Sequence, residues 1–183
     1  MTEQQAYDVV EAVGGYELRR YPRHLVAETG IDASFESAGT RAFRALVGYL
    51  GGGNATGDRL AMTAPVLQEP APSGPAYTVA FVLPASTAQA GAPQPTDPRV
   101  RVREVGEEWA LVARYSGRWS RGSYERHEEA LRAAADRRGL TVAGPARWAR
   151  FDPPWTPWFL RRNEVILPVR VPADAAPGGS LES

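Results

Sequence analysis

Residues 35–54 read FESAGTRAFRALVGYLGGGN. Phe35, Ala38, Ala42, Phe43, Leu46, Val47 and Leu50 recur at spacings of three and four, which gathers them into one apolar stripe on a helix. Asp32 or Ser34 can cap its start by offering a side-chain oxygen to orphan backbone N–H groups. Gly51-Gly52-Gly53-Asn54 ends it, because these residues enter left-handed backbone angles at little cost. Upstream, Tyr7–Val13 and Tyr16–Tyr21 are short runs rich in Tyr and Val, and Gly14-Gly15 between them reads as a hairpin turn. His24–Ile31, after Pro22, is a third strand. Downstream, Arg59–Gln68 and Tyr77–Leu83 are two more.

Beyond a Pro/Ala/Gln-rich connection, Ala85–Pro98, the order repeats. Val100–Val105 and Trp109–Tyr115 read as a hairpin. Ser120 or Ser123 caps a second helix that runs to about Arg138 and stops at Gly139. Arg147–Phe151 and Glu164–Val171 read as closing strands. Strands, helix, strands therefore occur twice. Such a duplication is best satisfied by one closed or nearly closed sheet with two helices packed on it, and closure removes edges that invite aggregation. The expected organisation is one domain, 1–172, followed by a small, polar, Gly/Pro-rich tail, 173–183, read as disordered or extraneous to the fold.

Composition narrows function. Lys+Arg and Asp+Glu are 21 each, which argues against a nucleic-acid partner held by phosphate neutralisation and against a polybasic membrane patch. The 183 residues include no cysteine. Disulfides, thiolate catalysis, Cys-bound zinc, Fe–S clusters and covalent haem attachment are thereby excluded. The first residues lack an apolar core with a basic flank, so no signal peptide is expected, and no apolar run approaches membrane-spanning length. The expectation is a cytoplasmic protein without a membrane partner, a monomer or weak dimer. The dominance of arginine, alanine, glycine and proline points to GC-rich bacterial coding.

Four segments, in this order, carry a resemblance: Tyr16-Glu17-Leu18-Arg19-Arg20-Tyr21; Tyr49-Leu50-Gly51-Gly52-Gly53-Asn54; Met62-Thr63-Ala64-Pro65-Val66; and Phe151-Asp152-Pro153-Pro154-Trp155-Thr156-Pro157 with Arg161-Arg162-Asn163-Glu164-Val165. Together they resemble the SOUL haem-binding family over about residues 7–170. The resemblance implies an α+β fold: a distorted antiparallel β-barrel of two pseudo-symmetric halves with two flanking α-helices. It implies haem, or a related tetrapyrrole, as cofactor and partner, in a carrier, buffer or sensor without covalent chemistry. The same architecture resembles effector-binding barrels that take bulky apolar compounds, and some hydrolases, so fold alone leaves these alternatives open.

A porphyrin is an apolar disc with carboxylates on one edge. It needs an apolar slot, aromatic faces and one or two cations. One wall is the first helix, where the resemblance matches Phe43 and Val47 to ring-contacting positions; an apolar stripe on a helix otherwise packs as core. The other wall is the loop with Phe151, Trp155, Trp158 and Phe159, stiffened by Pro153, Pro154 and Pro157; the alternative is a lid over the sheet end. Met62 can reach slot or core. Arg41, Arg44 and Arg161 are cations placed for carboxylates, against a reading as solvated arginines. Thr40 stands where the tetrapyrrole-binding relative carries an arginine, with Arg41 the nearest replacement.

For iron, the position that one branch of the family fills with a proposed axial histidine is Arg20, which cannot ligate. His24 is the candidate metal ligand, from a neighbouring position, with Met62 and Tyr49 as alternatives. His127, beside the second helix stripe, reads as a half-buried histidine bonded to a neighbour. No nucleophile elbow, P-loop or metalloprotease motif is present. Glu164 is the single acid in a motif-rich segment, either a general acid/base or the partner of an arginine.

Overall fold

The computed structural model describes residues 2–172. Its elements are β1 (Glu3–Gln4), β2 (Asp8–Val13), β3 (Tyr16–Tyr21), β4 (His24–Ile31), α1 (Phe35–Leu50), β5 (Thr63–Ala64), β6 (Val66–Pro70), β7 (Tyr77–Val82), α2 (Ala85–Ala90), β8 (Arg101–Val105), β9 (Glu108–Ser116), α3 (Arg121–Arg137), β10 (Thr141–Val142), β11 (Arg147–Arg150) and β12 (Arg162–Arg170). A short 3-10 turn, Trp158–Leu160, lies in the loop before β12. The tail expected at 173–183 lies outside the described residues.

The main sheet runs β2-β3-β9-β12-β11-β6-β7-β4-β8, with β10 added beside β12, and its pairings are antiparallel. About the β11–β6 seam this order is palindromic. β3-β4-α1-β6-β7 in the first half corresponds to β8-β9-α3-β11-β12 in the second. The duplication read from the sequence is therefore present.

Three expectations need correction. The sheet is not closed into a barrel: it ends at β2 and β8. Its edges are protected by exposed, charged strands rather than by closure. Secondly, 101–105 and 108–116 do not form a hairpin. β8 pairs with β4, and β9 with β3 and β12. The Gly106-Glu107 link carries the chain from one half of the sheet to the other, as Pro22-Arg23 does between β3 and β4. At the true hairpin, β2–β3, both Gly14 and Gly15 hold positive φ, 57° and 90°, as a tight two-residue turn requires. Thirdly, a third helix, the single-turn-and-a-half α2, stands in the connection after β7, and residues 59–62 precede β5 without strand structure.

Strand alternation sorts the side chains onto two faces. On one face α1 packs over β4, β7 and β6, and α3 over β12, β9 and β10. Phe35, from the start of α1, stacks on Trp148 of β11 at 4.4 Å and meets Tyr124 of α3 at 5.2 Å, joining the two halves. Among the described residues the opposite face carries no long helix, and the short α2 meets it only beside β4 at its margin. It curls onto itself, and Tyr21, Val26, Leu67, Ala80, Val112, Ala149 and Ile166 from both halves form its own buried cluster.

The caps follow the sequence. Ser34 precedes α1, although its hydroxyl meets Ser37 Oγ rather than a backbone N–H. Ser120 Oγ accepts from Ser123 N–H at the start of α3. After α1, the buried Asn54 side chain donates to the carbonyls of Tyr49 and Asp58 and accepts from Asp58 N–H and Thr56 Oγ1. That single amide holds the glycine turn shut.

Candidate functional site

The stripe of α1 divides where the sequence joined it. Phe35, Ala38, Ala42, Leu46 and Leu50 are buried, but Phe43 and Val47 are 44% and 38% exposed. Phe43 rests edge-on against Phe81 at 5.6 Å and shows its other side to solvent. Phe43 and Val47, one turn apart, form a short outward pair, and Gly39, one turn before Phe43, is buried. Met62, just before β5, is also exposed. Thr40, Arg41 and Arg44 are exposed, and Arg41 donates to Asp32 O at 3.3 Å.

The loop 151–161 presents Trp155, Trp158, Phe159 and Leu160 to solvent, Trp155 at 83%. Trp158 and Phe159 touch edge to face at 5.7 Å. Arg161 holds the loop's shape: Nε donates to Thr156 O at 2.8 Å and Nη2 to Pro154 O at 2.6 Å. Phe151 is half-buried beneath the Arg162 guanidinium, 3.9 Å from the ring centroid. Arg161 therefore spends its donors on loop carbonyls, while its charge stays unpaired among the described residues. It stacks on Trp119 at 4.2 Å.

Trp119 links loop to helix. On its ring, at 4.8 Å, lies the guanidinium of Arg150, the last residue of β11. Trp148 and Arg150 alternate onto the helix-covered face, and Arg150 reaches α1 at Gly39, where an added Cβ would stand 2.6 Å from Nη1. Arg150, Trp119 and Gly39 were not singled out in the sequence. Their signal was faint: a glycine on the helix stripe, and an arginine two residues after a tryptophan in a strand.

His24 lies elsewhere. It shares the parity of Val26, on the face away from α1, and lines a cleft of about 470 Å³ with Gln5, Thr63 and Leu83. Its Nδ1 donates to Pro22 O at 2.9 Å and its Nε2 accepts from Gln5 Nε2 at 3.1 Å. Burial pushes its pKa below the usual value. Structure does not bring it to Phe43, Val47 or the aromatic loop. His127 is half-buried, donates to Ser123 O and stacks on Tyr115 at 3.9 Å. Among the described residues no cluster of metal-ligating side chains occurs.

Glu164, fully buried, accepts both Nη donors of Arg19 at 2.8 and 3.0 Å and the guanidinium of Arg162 at 2.7 Å. Arg19 also meets Glu17 and the Tyr21 hydroxyl and lies over the Tyr7 ring at 4.0 Å. Two of the quoted motifs, on β3 and β12, thus meet in one ionic cluster on the self-packed face. Of the two roles open to Glu164, the arrangement is that of an arginine partner.

Fold and site together define a duplicated, open-sheet α+β domain with an exposed apolar pair on its first helix. The SOUL heme-binding protein family model matches residues 2–168, and the chain belongs to that family. No curated protein matches it. The C-terminal domain of EcmrR superposes with a TM-score of 0.64 at 12% identity, over 87% of this chain and 99% of that one. A hydrolase from Listeria innocua superposes at 0.57 and 13% identity, over 88% and 94%. At these identities the likeness is one of fold.

Proposed function

We propose that the chain binds haem or a related tetrapyrrole against the outward pair of α1 and the aromatic loop, as a carrier, buffer or sensor without covalent chemistry. One observation carries this: the helix that the family model covers keeps Phe43 and Val47 out of the core, where the rest of its apolar stripe is buried. Large apolar side chains left exposed together on a soluble domain mark a contact surface. The residues present fit a flat apolar ring: Phe43 and Val47 offer one wall, Trp155, Trp158 and Phe159 aromatic faces, and Arg161 a positive charge beside them. When bound, haem would supply the iron chemistry; the chain's part is to hold and shield the ring. His24, across the sheet with both ring nitrogens hydrogen-bonded, does not serve as its ligand in this reading. A hydrolytic role for Glu164 is disfavoured because its carboxylate is spent on Arg19 and Arg162.

Haemin titration of the purified protein tests this. Saturation near one equivalent with a sharpened Soret band is expected. Phe43→Asp should weaken binding about ten-fold, since half a phenyl ring's burial is worth about 1–1.5 kcal/mol. His24→Ala should leave the spectrum unchanged. Non-saturating binding, or a spectrum remade by His24→Ala, refutes the assignment.

A further inference from the structure

Two arginines are less than a tenth exposed, Arg19 at 2% and Arg150 at 7%. Arg19 is spent on Glu164. Arg150 has no ion-pair partner among the described residues; its side-chain acceptor is the neutral Gln68 Oε1 at 3.2 Å, and its Nε–H donates to nothing.

Four other buried polar atoms around it are also unspent: the indole N–H groups of Trp119 and Trp148, the Tyr115 hydroxyl and Asn163 Oδ1. They share one neighbourhood. Arg150 stands opposite Asn163 on β12, and Asn163 opposite Tyr115 on β9. The Arg150 guanidinium lies 4.0 Å from the Trp148 ring centroid. The Trp148 indole N–H approaches the Tyr115 hydroxyl without reaching hydrogen-bond geometry. Burial pushes the Tyr115 pKa up to about 12, so it keeps its proton and remains a donor. Donors therefore dominate, and one of them carries a full charge.

Buried cations are ordinarily matched by an anion, because desolvation otherwise goes uncompensated. Burial, with a smaller push from the charge of Arg161, pulls the Arg150 pKa down to about 10 against the opposing pull of Tyr115 and Glu36. The cation also has a defined place relative to the outward pair. Gly39 leaves the room that Nη1 occupies, despite the stability a helix-interior glycine forfeits. Phe43 and Val47 follow Gly39 at four-residue spacing, and there the helix turns from buried to exposed.

We propose that Arg150, with the Trp119 indole N–H beside it, receives a carboxylate of the ligand whose apolar body lies on Phe43 and Val47, at the Gly39 end of that pair. The site then selects apolar molecules that carry an acid group over neutral ones of the same shape. This rests on the tetrapyrrole reading for the apolar contact and adds the acid end. Arg161, on the same indole, contributes a second positive charge.

Fluorescence titration with protoporphyrin IX and with its dimethyl ester tests the proposal on wild type, Arg150→Met and Trp119→Phe. Wild type is expected to bind the free acid about ten-fold or more tighter than the ester, the worth of a charge-assisted hydrogen bond. Arg150→Met should lose that factor for the acid and leave the ester unchanged. Trp119→Phe, which keeps a ring but loses the N–H, should lose part of it. Equal affinities in wild type, or equal weakening of both ligands in Arg150→Met, overturn the proposal. If neither porphyrin saturates, the tetrapyrrole reading fails by itself. Benzoate and inorganic phosphate, followed by tryptophan fluorescence, then test the subsite alone. A saturable benzoate response lost in Arg150→Met supports it; a response to phosphate only, or to neither, overturns it.

Discussion

Glu164→Gln should destabilise the protein by about 3 kcal/mol, and the value follows from what the carboxylate holds. Glu164 is fully buried and takes two hydrogen bonds from Arg19, itself 2% exposed, and two from Arg162. Breaking a buried ion pair from one side costs about 3–5 kcal/mol, because the remaining charge is stranded. The lower end applies here: Glu17 still accepts from Arg19 Nε at 2.6 Å, and glutamine keeps one carbonyl acceptor. For a chain of this size the loss corresponds to about 6–12 °C in Tm. Calorimetry or thermal circular dichroism of the apo-protein reads it directly. The double variant Arg19→Met/Glu164→Leu removes the fully buried pair, leaves Arg162 to Tyr7 and Gln4, and should be more stable than Glu164→Gln, since apolar replacement of a buried pair is often neutral. If Glu164→Gln costs less than about 1 kcal/mol, or if the double variant is no more stable than the single, the ionic cluster does not hold the fold as argued.

Arg150→Met should raise apo-protein stability by about 1 kcal/mol, the desolvation of an unpaired cation outweighing its lost contacts with Trp148 and Trp119; chemical denaturation checks it, and a loss of stability would refute it. The pKa of His24 is lowered in the folded state, so the unfolded chain binds the proton first. Stability should therefore be full above the unfolded value of about 6.5 and fall as pH drops below it. A His24→Gln variant should show a shallower acid slope from neutral pH downward in denaturant titrations, and an unchanged slope would sink the assignment.

The two long helices were legible because each carries its own 3.6-residue period and its own stop, at Gly51–Asn54 and at Gly139, whereas the six-residue α2 is too short to show a period. The strands were legible as runs but not as pairs. Gly14-Gly15 and Gly106-Glu107 look alike as two-residue links, yet only the first closes a hairpin. What separates them is the pairing of β8 with β4 and of β9 with β3, contacts between opposite halves of the chain that no local pattern carries. The site was half legible for the same reason. Phe43 and Val47 sit on the helix period, so sequence could nominate them but could not tell core from surface. Arg150, Trp119 and Gly39 come from three separate elements, and their juxtaposition is a product of the β11–β12 register and the seating of α1.

Burial also argues for the helix side over the sheet's bare face as the place for a ring. The self-packed face is filled by its own apolar cluster, by Arg19 with Glu164, and by Glu28 with Arg101 and Arg103. Between His24, Val26, Leu67 and Ala80 only about 10 Å³ remains, room for about one water. Larger space occurs toward its margins, in clefts of about 470 and 580 Å³ whose rims carry Glu3, Arg23 and Glu104 in one, and Glu107, Glu108 and Arg170 in the other. A porphyrin face would desolvate those charges without pairing them. Along α1 the balance reverses. Apolar side chains are already out of the core, and at their end lies a cation already stripped of water and unmatched. An acid-bearing ring laid there would cover the first and neutralise the second, so one ligand would resolve both.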